Sequence, residues 1–197
     1  LRSEGIAVTI GNRAENIDPL PDGTVVVVSS AITEDNPELI EARRRGLNVL
    51  HRAQGLAIVL AGRAGLAVAG ANGKTTTSGM ATTALRALGR DPSFATGAEI
   101  AGIGANSGVG TGAEFVVEAD ESDGSFLQYP SQIVIVTNVE ADHLDNWGTP
   151  QAYFDGFVSM ATRPEVRYVV TNVDDPGAAE LAVRLESTGT VKVVTYG

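Results

Sequence analysis

Short apolar runs of strand length alternate with helix-length amphipathic stretches along nearly the whole chain, and no other feature narrows its fold as much. Such alternation favours an α/β fold with a mostly parallel sheet. Strands are predicted near 5–9, 24–29 and 47–50, with a helix from about 36 to 45 opened by Asn36-Pro37 and closed by Gly46. Residues 51–62 read as a connecting helix, and the small residues Ala61-Gly62-Arg63-Ala64-Gly65 mark the boundary between a first unit, 1–62, and a second, 63–197. In the second unit strands are predicted at 66–69, 114–118, 133–137, 167–171 and 191–195, with helices from the glycine turn after Ala69 to Leu88 and near 150–161 and 175–187. The glycine-rich stretch 97–112 is predicted as a long loop, a candidate substrate loop. Leu1–Gly5 reads as a helix end running into a strand and 191–197 stops as a strand finishes, so both units are expected to be incomplete.

Composition removes several function classes. Without cysteine there is no disulfide framework, thiol nucleophile or Cys-bound zinc. The longest apolar runs, such as Ile133 to Val136 and Thr24 to Val28, are far too short to cross a bilayer, so no membrane insertion and a cytoplasmic location are expected. A net charge of −10, with Arg43-Arg44-Arg45 isolated, argues against nucleic acid as a partner. An acidic chain that handles polyanions must do so locally, through a phosphate loop and a divalent metal. Nothing in the sequence specifies an oligomeric state.

A phosphate loop is what the second unit offers. The strand Leu66-Ala67-Val68-Ala69 runs into Gly70-Ala71-Asn72-Gly73-Lys74-Thr75-Thr76-Thr77 and then into a helix. The glycines let backbone N–H groups converge on phosphate oxygens, and the helix N-terminus adds its dipole. Lys74 is expected on the β- and γ-phosphates and the Thr75 hydroxyl on Mg2+. As a loop lysine, Lys74 is expected at the surface, with little part in packing. The longer phosphate-loop pattern has a further glycine where this chain has Val68, so the match is to a shorter G-x-x-G-K-T form. A second metal ligand is expected from the strand that ends at Glu118, the first carboxylate of Glu118-Ala119-Asp120-Glu121-Ser122-Asp123. A third candidate is His143, in Thr137-Asn138-Val139-Glu140-Ala141-Asp142-His143-Leu144-Asp145, at the carboxyl end of a strand where α/β sheets place ligands. His51 is read as structural, and Trp147 as packing under its loop.

These three segments, together with Ser125-Phe126-Leu127 after the acidic run, resemble successive signatures of the Mur ligases. The first unit agrees, since Val27-Val28-Ser29-Ser30-Ala31-Ile32 and Ala42-Arg43-Arg44-Arg45-Gly46 look like the family's UDP-sugar domain. The resemblance covers essentially the whole chain. It implies a Rossmann-like UDP-sugar-binding unit followed by a P-loop-type central ATP-binding domain. It also implies ATP and Mg2+, with the γ-phosphate passing to the carboxylate of UDP-N-acetylmuramate and L-alanine attacking the acyl phosphate. By the same resemblance Thr75 and Glu118 map to one magnesium site and His143 to a second. Lys74, Glu118 and His143 become the catalytic set, and Gly70, Ala71, Asn72, Gly73, Lys74, Thr75, Thr76 and Asn138 line the nucleotide. The family's Thr-His inside the loop is Ala71-Asn72 here, and the Asn resembles sister ligases. A sister amino-acid ligase and a non-catalytic nucleotide-sugar-binding module share parts of this pattern.

Overall fold

A computed structural model describes residues 1–197, the side chain of Glu4 excepted. The chain divides into two compact units, Leu1–Gly55 and Leu56–Gly197.

The first unit is a βαβ element. Strand β1 (Val25–Val28) pairs in parallel with β2 (Asn48–His51), and helix α1 (Pro37–Arg44) connects them. Asn36 sets the helix start. Its side chain accepts the N–H groups of Glu38 and Leu39, while Pro37 fills a first-turn position where no intrahelical donor is needed. Buried Ile17, Ala42 and Leu47 form the small core with Leu20, Val26 and Val49. The strand predicted near 5–9 is absent. Those residues follow a turn of 3-10 helix at Arg2–Glu4, and Ile6 and Ile10 are exposed, because no neighbouring strand pairs with them.

Helix α2 (Arg52–Leu60) leads into a seven-stranded sheet. Its strands are β3 (Ala64–Ala69), β4 (Ser93–Ile100), β5 (Ala105–Gly108), β6 (Glu114–Glu118), β7 (Ile133–Val136), β8 (Tyr168–Asn172) and β9 (Lys192–Tyr196), in the order β5-β4-β6-β3-β7-β8-β9. All pairings are parallel except β4 with β5. Helix α3 (Lys74–Ala87) packs on β3, β4 and β6, while α6 (Pro176–Thr188) packs on β8 and β9 and against α5 (Pro150–Ala161). A one-turn helix, α4 (Leu144–Trp147), precedes α5. Among the described residues no helix is long and apolar enough to cross a membrane.

The stretch predicted as a long loop, 97–112, is largely a hairpin, because β4 extends to Ile100 and turns back into β5. Its glycines hide it from a reading by composition. Gly108 sits opposite Phe94, where a Cβ would meet the ring at 2.6 Å, so the aromatic ring occupies the space a side chain would need.

Central β3 has β6 on one side and β7 on the other, with Val68 in register with both Glu118 and Ile135. From β3 the chain passes first to β4 and β6 and later to β7, so the strand order reverses at β3. A crevice opens at the carboxyl ends of strands where this happens. Ala67, Val68, Val116 and Val117 beneath it are fully buried, each valine contributing about 1.5–3 kcal/mol. The loops that leave these strands therefore stand on a firmly packed platform.

Candidate nucleotide and metal site

Three strand ends meet in this crevice. From β3 comes the loop Gly70–Gly73, which needs glycine at its first and last positions. Gly70 has φ 134, and a Cβ there would meet the Thr137 hydroxyl at 2.2 Å and the Asn138 carbonyl at 2.9 Å. Gly73, at φ 81, caps α3 and presents that helix's first N–H groups, unpaired within the helix, to the crevice.

From β7 come Thr137 and Asn138, which hold the loop from behind. The Thr137 hydroxyl donates to the Asn72 carbonyl at 2.6 Å. Asn138 donates through Nδ2 to the same carbonyl at 2.9 Å and accepts the Asn72 N–H on Oδ1 at 2.9 Å. All three bonds use the main chain of Asn72. This is why the identity of the side chain at 72 is free to differ without loosening the loop.

From β6 comes Glu118. The Thr75 hydroxyl donates to its Oε1 at 2.9 Å, and the Gly97 N–H, from β4, donates to its Oε2 at 2.6 Å. Ala71, Asn72, Gly73, Lys74, Thr75, Thr76 and Glu118 together line a cavity of about 330 Å³. One hydroxyl and one carboxylate side by side suit a magnesium ion, which prefers oxygen donors and keeps most of its remaining positions for water and phosphate. Among the described residues no group of three or more His, Cys, Asp and Glu could enclose a metal, so any ion here would depend on non-protein ligands.

Lys74 departs from expectation. Its side chain is only 14% exposed, and its ammonium donates to Gly70 O at 2.7 Å, to Glu121 Oε2 at 2.8 Å and, longest, to Ala71 O at 3.4 Å. The lysine is therefore a packed, ion-paired element of the loop, because the acidic segment after β6 folds a carboxylate under it. Glu121, 1% exposed, is a residue that reading the sequence missed as a partner. Several adjacent acids offered themselves, and only the tertiary fold decides which one is buried. Gly97 was missed as well, although a glycine inside a strand is a known sign of close approach. A Cβ there would stand 2.7 Å from Glu118 Oε1 and 3.0 Å from the Thr75 hydroxyl.

His143 lies on a separate turn. It adopts the left-handed conformation, φ 51 and ψ 39, as the cap of α4, and it is the one non-glycine residue with positive φ among those described. Its N–H donates to Asp142 Oδ1 at 2.7 Å, and its Nε2 stands 3.9 Å from Asp142 Oδ2. The ring is 44% exposed, and no hydrogen bond or ion pair joins it to Thr75 or Glu118. The structure thus gathers the loop residues and Glu118 around one cavity with Asn138 bonded to the loop, and His143 is not among the residues that line it. Trp147, at the other end of α4, packs as expected, with ring centroids 6.0 Å from Phe126 and 5.9 Å from Tyr153. It also donates its indole N–H to the Glu121 carbonyl at 2.9 Å. Burial pushes the Tyr153 phenol well above its ordinary range, and the charges of Glu121, Asp142, Glu140 and Asp120 add to the effect.

Comparison with known proteins gives a consistent picture. Residues 68–197 match the model of the Mur ligase middle domain, and residues 1–64 that of the Mur ligase family catalytic domain. The UDP-N-acetylmuramate–L-alanine ligase of Cutibacterium acnes is 66% identical over 197 residues, all of this chain and 41% of that protein. The ligase of the same name from Nocardioides sp. is 50% identical over 196 residues, 99% of this chain and 43% of that one. Among solved structures, the UDP-N-acetylmuramate-alanine ligase MurC of Thermotoga maritima superposes with a TM-score of 0.77 at 28% identity, covering 91% of this chain and 41% of that one. The chain therefore spans about two fifths of the length of these relatives.

Proposed function

Because the chain belongs to the Mur ligase family, we propose that it is the nucleotide-binding part of an ATP-dependent ligase that joins L-alanine to UDP-N-acetylmuramate in peptidoglycan precursor synthesis. The observation that carries this is the convergence of the Gly70–Thr75 loop with Glu118 in one cavity at the strand-order reversal. Identity of 66% to a ligase named for those two substrates supports the choice among sister ligases.

On this reading the loop N–H groups and Lys74 bind the triphosphate. Thr75 and Glu118 would hold Mg2+, which supplies charge neutralisation on the phosphate oxygens, and His143 is assigned to a second ion. Asn138 holds the loop at the nucleotide, acting through Asn72. The substrate carboxylate attacks the γ-phosphorus and ADP leaves, giving an acyl phosphate. The amine of L-alanine then attacks the acyl carbon, loses a proton and expels phosphate as the amide forms. No protein nucleophile is required, so the residues act by positioning and electrostatics. The cytoplasm, where ATP is available, is the proposed location.

The test is phosphate release by the full-length protein. Release that requires both UDP-N-acetylmuramate and L-alanine supports the reading. Release that proceeds without the sugar nucleotide, or is satisfied equally by another amino acid, overturns it.

A further inference from the structure

Lys74 has three ammonium hydrogens and three partners, Gly70 O, Ala71 O and the carboxylate of Glu121. Two of these are neutral carbonyls of its own loop. The third is an ionised group buried to 1% exposure, so most of the compensation of the Lys74 charge comes from one residue outside the loop. A polyphosphate that engages Lys74 must compete with that carboxylate. The same residue is tied at its other end, where its carbonyl accepts the indole N–H of Trp147 at 2.9 Å, while Asn146 donates to the adjacent Ser122 carbonyl at 3.0 Å. The indole itself is clamped, since a Cβ on Gly156 would meet its ring at 2.5 Å. Trp147 is also the only tryptophan in the sequence.

We propose that Glu121 is a positioning residue of the nucleotide site, the resident counter-ion with which a polyphosphate competes for Lys74, and that Trp147 reports the exchange through its bond to the Glu121 carbonyl. This rests on the reading of the Gly70–Thr75 loop as an ATP site. The physical consequence has a definite sign. Glu121→Gln keeps the shape and an acceptor but removes the charge, leaving Lys74 uncompensated until a phosphate arrives. The variant is then less stable without nucleotide, and the polyphosphate recovers part of that loss on binding. A residue with only a packing role would lower stability equally with and without nucleotide.

The experiment compares wild type and Glu121→Gln for binding of ATP with Mg2+ by calorimetry, and for the rise in melting temperature that ATP produces. The expected result is affinity tighter by roughly threefold to tenfold in the variant, a modest share of the coupling in a buried pair, with a larger ATP-induced rise. Equal or weaker affinity overturns the proposal. Should Glu121→Gln not fold, the emission of Trp147 decides, read as the difference between wild type and Trp147→Phe. It should change on adding ATP or inorganic tripolyphosphate and stay unchanged with adenosine, and a flat response to bound ATP overturns the proposal. Wild type that binds neither ATP nor tripolyphosphate overturns the ATP-site reading itself, whereas ATP binding without the exchange signature overturns this inference alone.

Discussion

The backbone N–H of Gly97 donates to Glu118 across the sheet at 2.6 Å, and no side chain larger than hydrogen fits at position 97 without striking the carboxylate it orients. The Thr75 hydroxyl holds the other oxygen of the same carboxylate. Glu118 is thus fixed in place by one group from β4 and one from α3.

Gly97→Ala should therefore act on the metal requirement ahead of the fold. The new methyl displaces Glu118 Oε1 and crowds Thr75, disturbing a carboxylate assigned to Mg2+. Disturbing an outer partner of a metal ligand typically costs roughly 10- to 100-fold in metal affinity or activity. A magnesium titration of phosphate release should shift by that order to higher concentration, with circular dichroism unchanged. An unshifted titration would remove Glu118 from the metal assignment.

Lys74→Ala should abolish turnover and also weaken the protein. On the proposed reading it removes the charge that neutralises the transferring phosphate, and it leaves Glu121 buried without its ion partner. Breaking a buried pair costs about 3 kcal/mol. Urea unfolding should register a loss of that size alongside the lost phosphate release. Full stability with lost activity would mean that the Lys74–Glu121 pair contributes nothing to the fold.

The strand-turn-helix at Leu66–Ala87 was legible from sequence because its signals are local, with apolar residues at strand spacing, glycines at the turn and the Gly-Lys-Thr core. Helix α1 was legible from Asn36-Pro37 for the same reason. What stayed hidden depends on contacts distant in sequence. Strand β4 owes its pairing to β6, and its Gly97 reads as a loop residue until Glu118 is seen beside it. Glu121 is one acid among neighbours until the fold places it under Lys74. The strand expected near 5–9 erred the other way, since β-branched residues alone do not make a strand without a partner.

Asp91 should contribute to acid sensitivity. Its carboxylate accepts both the N–H and the hydroxyl of Thr111, at 2.8 and 2.9 Å, and these bonds hold it below its ordinary value of 3.8. A depressed carboxylate contributes stability that is fully present above its unfolded value and is lost as the pH falls through the folded one. The wild-type melting temperature should therefore fall more steeply below about pH 4 than that of Asp91→Asn. Parallel acid limbs would show that the Thr111 bonds persist with the neutral acid.

His143 is where a functional and a merely conformational role differ most. Its left-handed backbone is strained for a residue with a Cβ, and strain of this kind collects at functional sites. It also caps the turn that ends in Trp147, so a substitution could act through the backbone alone. Two variants separate the roles. Glycine relieves the φ strain and removes the ring, whereas alanine removes the ring and keeps the strain, which costs about 1 kcal/mol. If the imidazole serves a second magnesium ion in the full-length ligase, both variants should lose turnover alike. The loss should be roughly ten- to hundredfold, the equivalent of about 1.4–2.8 kcal/mol of charge stabilisation. If only the turn matters, His143→Gly should retain wild-type rates and melt at or above the wild-type temperature, with His143→Ala impaired. Phosphate release for the two variants across a magnesium titration decides between these outcomes, and a fully active glycine variant would end the metal assignment of His143.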